Sequence, residues 1–267
     1  NWQTSCDHLL DANGNLQAEQ VYDFVLNAQD DYCSVPGRSY ETIRIKLKNN
    51  PVVPAVDLHC VDVLPNGDVD LTWTQTVDPG SSFVQYEVWS IEDGFIAVVP
   101  GGITTENYTV VGANADLGSK HYFVSTRFGC GGNNLSPSDT LASIYLDLND
   151  LADGRILLTW NSTHTPMNDG DNVQQEVYRE FPVGVWTLQA TLPYGENQFL
   201  DTIDVCNADF NYEIVIPNAA GCSSTSNNPG GNFQDIINPY IPVITQVTID
   251  TITDYVDITW NQNGAAD

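Results

Sequence analysis

Asp68-Val69-Asp70-Leu71-Thr72-Trp73 is the first of three related segments in a chain of 267 residues. It returns as Arg155-Ile156-Leu157-Leu158-Thr159-Trp160 and as Tyr255-Val256-Asp257-Ile258-Thr259-Trp260, at spacings of 87 and 100 residues. Apolar residues alternating with others up to a terminal indole are a strand pattern. Asn66-Gly67 and Asp153-Gly154 precede the first two copies, and such dipeptides join adjacent antiparallel strands. Before the third copy stands Thr253-Asp254, a weaker turn. Extended apolar stretches lie upstream, over residues 56–64, 144–151 and 243–252. Each repeat is therefore expected to open with a hairpin whose second strand ends in Trp.

The correspondence continues downstream. Val84-Gln85-Tyr86-Glu87-Val88-Trp89 alternates with period two, and Gln174-Gln175-Glu176-Val177-Tyr178-Arg179 does so more weakly. His121-Tyr122-Phe123-Val124-Ser125-Thr126 matches Asn211-Tyr212-Glu213-Ile214-Val215-Ile216, and each is followed by a Gly-Cys pair, Gly129-Cys130 and Gly221-Cys222. No run of ten or more residues keeps a helical period; residues 16–28 suit a short helix by composition, but Val21, Phe24 and Val25 suit a strand equally. Short strands punctuated by Gly, Pro, Asn and Asp predict an all-β fold of tandem antiparallel sandwiches with Greek-key connections.

Composition narrows the function. With 35 acids against 8 bases the net charge is −27, which repels nucleic acid and anionic lipid surfaces. Beyond residue 50 there are 28 acids and four bases: Lys120, Arg127, Arg155 and Arg179. An apolar fraction of 42% is enough for packed cores, and no apolar run approaches the roughly 20 residues that span a bilayer.

The "LTW" strand, the later "YFV" strand and Leu117 five positions ahead of Tyr122 resemble the fibronectin type III domain. That resemblance implies that Trp73, Trp160, Trp260, Tyr122 and Tyr212 are core residues and that Leu117 and Tyr122 form a corner. Asn207 stands where the second copy would carry its Leu, leaving Val205 or Cys206 to pack there. Residues 54–141 and 142–240 are expected to be two such domains, and 241–267 the first hairpin of another. Residues 1–50, with the alternating Glu41-Thr42-Ile43-Arg44-Ile45-Lys46-Leu47-Lys48, resemble the C-terminal part of an immunoglobulin- or cadherin-like domain, Ile43, Ile45 and Leu47 facing inward. The ordered series is similar to large Bacteroidota surface proteins that carry gliding-motility-associated sorting domains. This implies a slice of an extracellular or outer-membrane-associated protein, handled by type IX secretion components during export.

Six cysteines allow 15 pairings, and position suggests Cys6–Cys33, Cys60–Cys130 and Cys206–Cys222. Zinc is the rival use of cysteine, but no C-x-x-C occurs and the four His are scattered. Oxygen-rich loops offer calcium candidates: Asp30 and Asp31 in the cadherin manner, and Asp169 and Asp171 in Asn168-Asp169-Gly170-Asp171-Asn172. The same residue types are those of ordinary β-turns. No other cofactor is expected. Catalytic signatures are missing: there is no G-x-S-x-G and no H-E-x-x-H, and Ser162 and His164 share only a loop. Asp139-Thr140-Leu141, Asp201-Thr202-Ile203 and Asp250-Thr251-Ile252 resemble the O-glycosylation tripeptide of that bacterial group, and chance in an Asp- and Thr-rich chain would also supply them.

The expected function is a non-catalytic adhesin or stalk segment that projects a partner-binding region elsewhere in the molecule, the partner being an unidentified protein or glycan at the cell surface. Pro-containing junctions at residues 50–54 and 238–242 would be stiff. One alternative is an accessory carbohydrate-binding or spacer region of a secreted polysaccharide-degrading enzyme, using Trp89, Trp186, Tyr194 and Tyr240 as stacking rings. A third reading is secretion-machine cargo with no activity in this segment.

Overall fold

A computed structural model describes residues 2–31, 35–49, 52–78, 81–203, 205, 207–234 and 243–261. The chain divides into two compact units, one of Asn1–Cys60, Leu71–Val110 and Lys120–Leu141, the other of Val61–Asp70, Val111–Ser119 and Ala142–Asp267. Strands dominate, with two short 3₁₀ turns at Cys6–Leu9 and Cys130–Gly132. The hairpin β1 (Glu19–Gln29) and β2 (Arg38–Lys48) pairs antiparallel over its full length. Ile45 and Leu47 are half-buried as their alternation requires, whereas Ile43 is exposed. Residues 16–28 thus contribute a strand, not a helix, because its cross-strand partner β2 supplies the ladder.

Then follow β3 (Asp57–Val63), β4 (Val69–Thr74), β5 (Phe83–Ser90), β6 (Gly94–Val98), β7 (Asn107–Val110), β8 (His121–Phe128), β9 (Asn134–Pro137) and β10 (Leu141–Ala142). They form a three-stranded sheet, β3-β4-β7, and a second sheet, β10-β8-β5-β6, with β9 also on β8. In the first unit Trp73 from one sheet meets Tyr86 from the other, ring centroids 5.8 Å apart. Tyr86 donates its hydroxyl to the Ile103 carbonyl at 2.8 Å and accepts the Thr76 N–H at 3.1 Å, so its polar end is satisfied inside the core.

The pattern repeats in β11 (Leu146–Asp150), β12 (Arg155–Trp160), β13 (Gln174–Glu180), β14 (Trp186–Pro193), β15 (Gln198–Thr202), β16 (Ala208–Pro217), β17 (Ser223–Thr225) and β18 (Gly230–Phe233). Here β11-β12-β15 faces β14-β13-β16-β17, with β18 on β16. Both sheets supply the core: Leu146, Ile156, Leu158 and Trp160 from one, Val177, Phe210, Tyr212 and Ile214 from the other. Each such side chain contributes roughly 1.5–3 kcal/mol on burial. Val205 packs against this core, as expected of the position lacking the corner Leu, and Ile203 lies within it.

The repeat's turns explain their residues. In the β3–β4 turn Gly67 sits at φ +80°, and a Cβ there would collide with Asp116 Oδ1. The third hairpin, β19 (Val243–Ile249) and β20 (Val256–Asn261), puts Asp254 at φ +59°, a left-handed position that Asp tolerates.

Three expectations need correction. Trp260 is 56% exposed, because β19 and β20 form a two-stranded sheet with no second layer among the described residues. Leu117 is 76% exposed and forms no corner. The turn at residues 111–119 places Asn114 at φ +54° and buries Ala113 and Ala115 instead, the Ala115 N–H donating to the Gly67 carbonyl at 3.0 Å. Finally, Cys6 pairs with Cys130, Cα atoms 5.5 Å apart across a sequence separation of 124. The Cys6–Cys33 and Cys60–Cys130 pairings are therefore not formed. Both 3₁₀ turns carry their cysteine into one groove with Leu9, Leu47 and Phe83, a proximity no sequence spacing reveals. Cys60 and Cys222 are each disulfide-bonded. Cys33 and Cys206, and with Cys206 the expected Cys206–Cys222 bridge, lie outside the described residues.

Candidate functional site

On the outer face of the sheet containing β5, alternation turns Trp89 away from the core that Tyr86 and Val88 enter. The register sets Trp89 opposite Phe95 on β6 and opposite Phe123 on β8, giving an aromatic row across three strands. Trp89 and Phe123 are nearly parallel, 9° apart with centroids at 6.1 Å, and Phe95 meets Trp89 edge-on at 5.2 Å. One step along the same face Glu87 is buried, held by Arg127 Nε at 2.5 Å and by Gln85 Nε2 at 2.8 Å. The Arg127 Nη1 also donates to the Gly132 carbonyl at 2.6 Å, which ties the row's base to the second 3₁₀ turn. Phe95, Val98 and Ile91 are exposed, so the row is the apolar part of an accessible face. Trp89 was singled out in the sequence; Phe95 and Phe123 were missed, although Phe123 sits in the quoted "YFV" strand. Only the cross-strand register brings the three together.

The remaining ring candidates do other work. The Tyr194 hydroxyl donates to the His164 carbonyl at 2.8 Å and accepts the His164 N–H at 3.1 Å, which fixes the loop after Trp160. Trp186 is at the start of edge strand β14, and Tyr240 lies outside the described residues. Trp160 is core: its indole N–H donates to Gln175 Oε1 at 3.1 Å, and Gln175 Nε2 in turn donates to the Glu196 carbonyl at 2.6 Å. Trp73, Tyr122 and Tyr212 are buried as well.

The calcium candidates are used in turns. Asp30 Oδ1 accepts the Gly37 N–H at 2.7 Å and closes the β1–β2 connection, with Asp31 exposed beside it. Asp171 is buried and accepts Asn218 Nδ2 at 2.9 Å, while Asp169 offers Asn218 only its carbonyl, at 3.1 Å. Among the described residues no three His, Cys, Asp or Glu side chains are grouped to hold a metal.

His164 Nδ1 bonds the Pro166 carbonyl at 2.5 Å, and Ser162 pairs with Asn197, so these two do not form a dyad. Thr74 Oγ1 lies 2.6 Å from His59 Nε2, but Asp57 is 3.8 Å from Nδ1, beyond hydrogen-bond reach and unable to orient the ring.

A network that sequence reading missed lies in the second sandwich. Arg179 Nη1 donates to Asp201 Oδ2 at 3.0 Å, the two side chains only 11% and 9% exposed. Tyr212 donates its hydroxyl to the same oxygen at 2.8 Å, and Arg179 stacks over Phe210 at 4.9 Å. Burial, followed by the Asp201 carboxylate, pushes the Tyr212 phenol far up, so it remains a donor. The available signal was Arg179 itself, one of four bases beyond residue 50 and set in a core strand.

No helix among the described residues is long and apolar enough to cross a membrane. The disulfides fit a secreted or extracellular protein. No protein-family model and no curated protein matches the sequence. Among solved structures the chain is similar to the pectate lyase PelI of Erwinia chrysanthemi in complex with tetragalacturonic acid, at 19% identity and TM-score 0.26, over 33% of this chain and 27% of that one. It thus spans about a quarter of the lyase. It is also similar to the central fibronectin-III array of RIM-binding protein (13% identity, TM-score 0.29, 78% and 79% covered). A two-domain fibronectin type III segment of chicken tenascin matches at 13% identity and TM-score 0.26, over 68% of this chain and 98% of that one. The strand order, not these low-scoring likenesses, carries the assignment. In fold the chain is all-β, with tandem antiparallel sandwiches of the fibronectin type III and immunoglobulin-like kind.

Proposed function

We propose that the chain is a non-catalytic segment of a large secreted or cell-surface modular protein, an adhesin or stalk of the gliding-motility-associated type exported by a type IX-like route. The observation that carries the non-catalytic reading is how the polar side chains are used. Buried Glu87, Asp171, Gln175 and Asp201 are each committed to a strand, turn or core hydrogen bond, and none converges with a nucleophile on a cleft. The secretion route rests on the resemblance of the ordered repeats. The domain boundaries 54–141 and 142–240 belong to the same reading. Small-angle scattering and incubation with polysaccharide and peptide substrate panels test it together. An extended particle without turnover is expected; a compact globule or any hydrolysis overturns it.

The row Phe95–Trp89–Phe123 favours a second reading, an accessory carbohydrate-binding region of a secreted polysaccharide-degrading enzyme. Retention on an insoluble polysaccharide, lost in Trp89→Ala, would support it over the stalk.

A further inference from the structure

Within the second unit the end of β3, from Val61 on, lies against β17. The Val61 N–H donates to Ser224 Oγ at 3.0 Å in a buried setting, and the Thr225 hydroxyl bonds Asp62 Oδ1. Asp62 has poor company. The Leu64 N–H donates to the Asp68 carbonyl at 2.9 Å, so counting outward along the hairpin sets Val63 opposite Val69 and Asp62 opposite Asp70. Like charges directly opposed across an antiparallel pair repel. Asp70 Oδ1 is buried and accepts no hydrogen bond among the described residues. From β16 Glu213 adds a third carboxylate, held by Asn228 Nδ2 at 3.0 Å. Tyr178, opposite Glu213 on β13, turns its hydroxyl to Glu176 at 2.8 Å, and Glu180 adds negative charge near Glu213. β17 has no titratable side chain, and no base forms an ion pair with Asp62, Asp70 or Glu213 among the described residues.

We propose that this carboxylate cluster is a pH-operated latch: the β3–β17 contact is closed when Asp62 is protonated and loosens when it ionises. A protonated Asp62 keeps the Thr225 bond and no longer faces Asp70 as a like charge. Burial, then Asp70, then Glu213 raise the Asp62 carboxyl to about 6. Burial likewise raises Glu213, against the Asn228 bond and with the help of Glu180. Because the folded value exceeds the usual 3.8, the stabilising contribution is complete below about pH 4 and is lost as pH rises through about 6.

Amide hydrogen exchange on the full oxidised chain, corrected for intrinsic rates, reads the latch at Val61, whose N–H makes the contact. Protection is expected to fall about tenfold between about pH 5 and about pH 7.5, while core amides such as Ile214 hold steady. Asp62→Asn should flatten the Val61 profile and keep it protected at the higher pH. If that variant does not fold, Asp70→Asn should move the midpoint of the Asp62 carboxyl, followed by carbon NMR, down from about 6 toward the ordinary range. A pH-independent Val61 amide in the native chain, or an Asp62 midpoint near 4, would overturn the proposal.

Discussion

Replacing Arg179 by Met removes the guanidinium that neutralises Asp201 and leaves the neighbouring aliphatic and aromatic packing largely in place. Asp201 then keeps the Tyr212 hydroxyl at 2.8 Å but loses its cation in a site where its side chain is only 9% exposed. Breaking a buried pair from one side costs about 3–5 kcal/mol, because the orphaned charge must remain desolvated or take up a proton. Loss of the Arg179–Phe210 contact adds about 0.5–2 kcal/mol. With a urea m-value of about 2 kcal/mol/M, the unfolding midpoint of the second sandwich should drop by about 2–3.5 M, with m unchanged. Tyr212→Phe removes one charge-assisted hydrogen bond and should cost about 1.5–3 kcal/mol. Arg179→Met with Asp201→Leu should recover much of the loss, since an apolar pair has no charge to desolvate. Should Arg179→Met cost less than Tyr212→Phe, or the double variant be weaker than Arg179→Met alone, the account of a buried, mutually dependent network is wrong.

Two further outcomes follow from the packing. Trp160→Ala and Trp73→Ala should each cost about 3–5 kcal/mol, whereas Trp260→Ala, on an exposed hairpin, should stay within about 1 kcal/mol, measured by denaturant unfolding. Cys6→Ser should destabilise the first unit by about 3–5 kcal/mol on the chain-entropy argument, matching the effect of Cys130→Ser; a large difference between the two would contradict their pairing.

Local pattern carried most of the fold. The indole-terminated strands and their Asn-Gly and Asp-Gly turns were readable because period two and positive φ leave marks on neighbouring residues. The corner at Leu117 was misread because its packing depends on how a turn 111–119 directs the chain, which Asn114 and Gly112 decide. Cys6–Cys130 could not be read, since 124 residues separate partners that only the folded chain brings together. The aromatic row was half legible: Trp89 stood out, but its neighbours depend on the register of β6, shifted at Val88/Trp89, and of β8, shifted at Phe83/Gln85. Asp62 looked like one acid among 35, and only burial beside Asp70 and β17 sets it apart.

The bond between Cys6 and Cys130 also shapes how the chain would bear a pull. Tension entering before Cys6 can cross the sulfur bridge straight to Cys130, a path that by-passes the polypeptide between them while the bridge is intact. Cutting it together with the bridge at Cys60 would release slack of up to about 420 Å once the 124-residue span is drawn straight. Mechanical compliance is thereby placed under chemical command: the same anchor is short in oxidising surroundings and long in reducing ones.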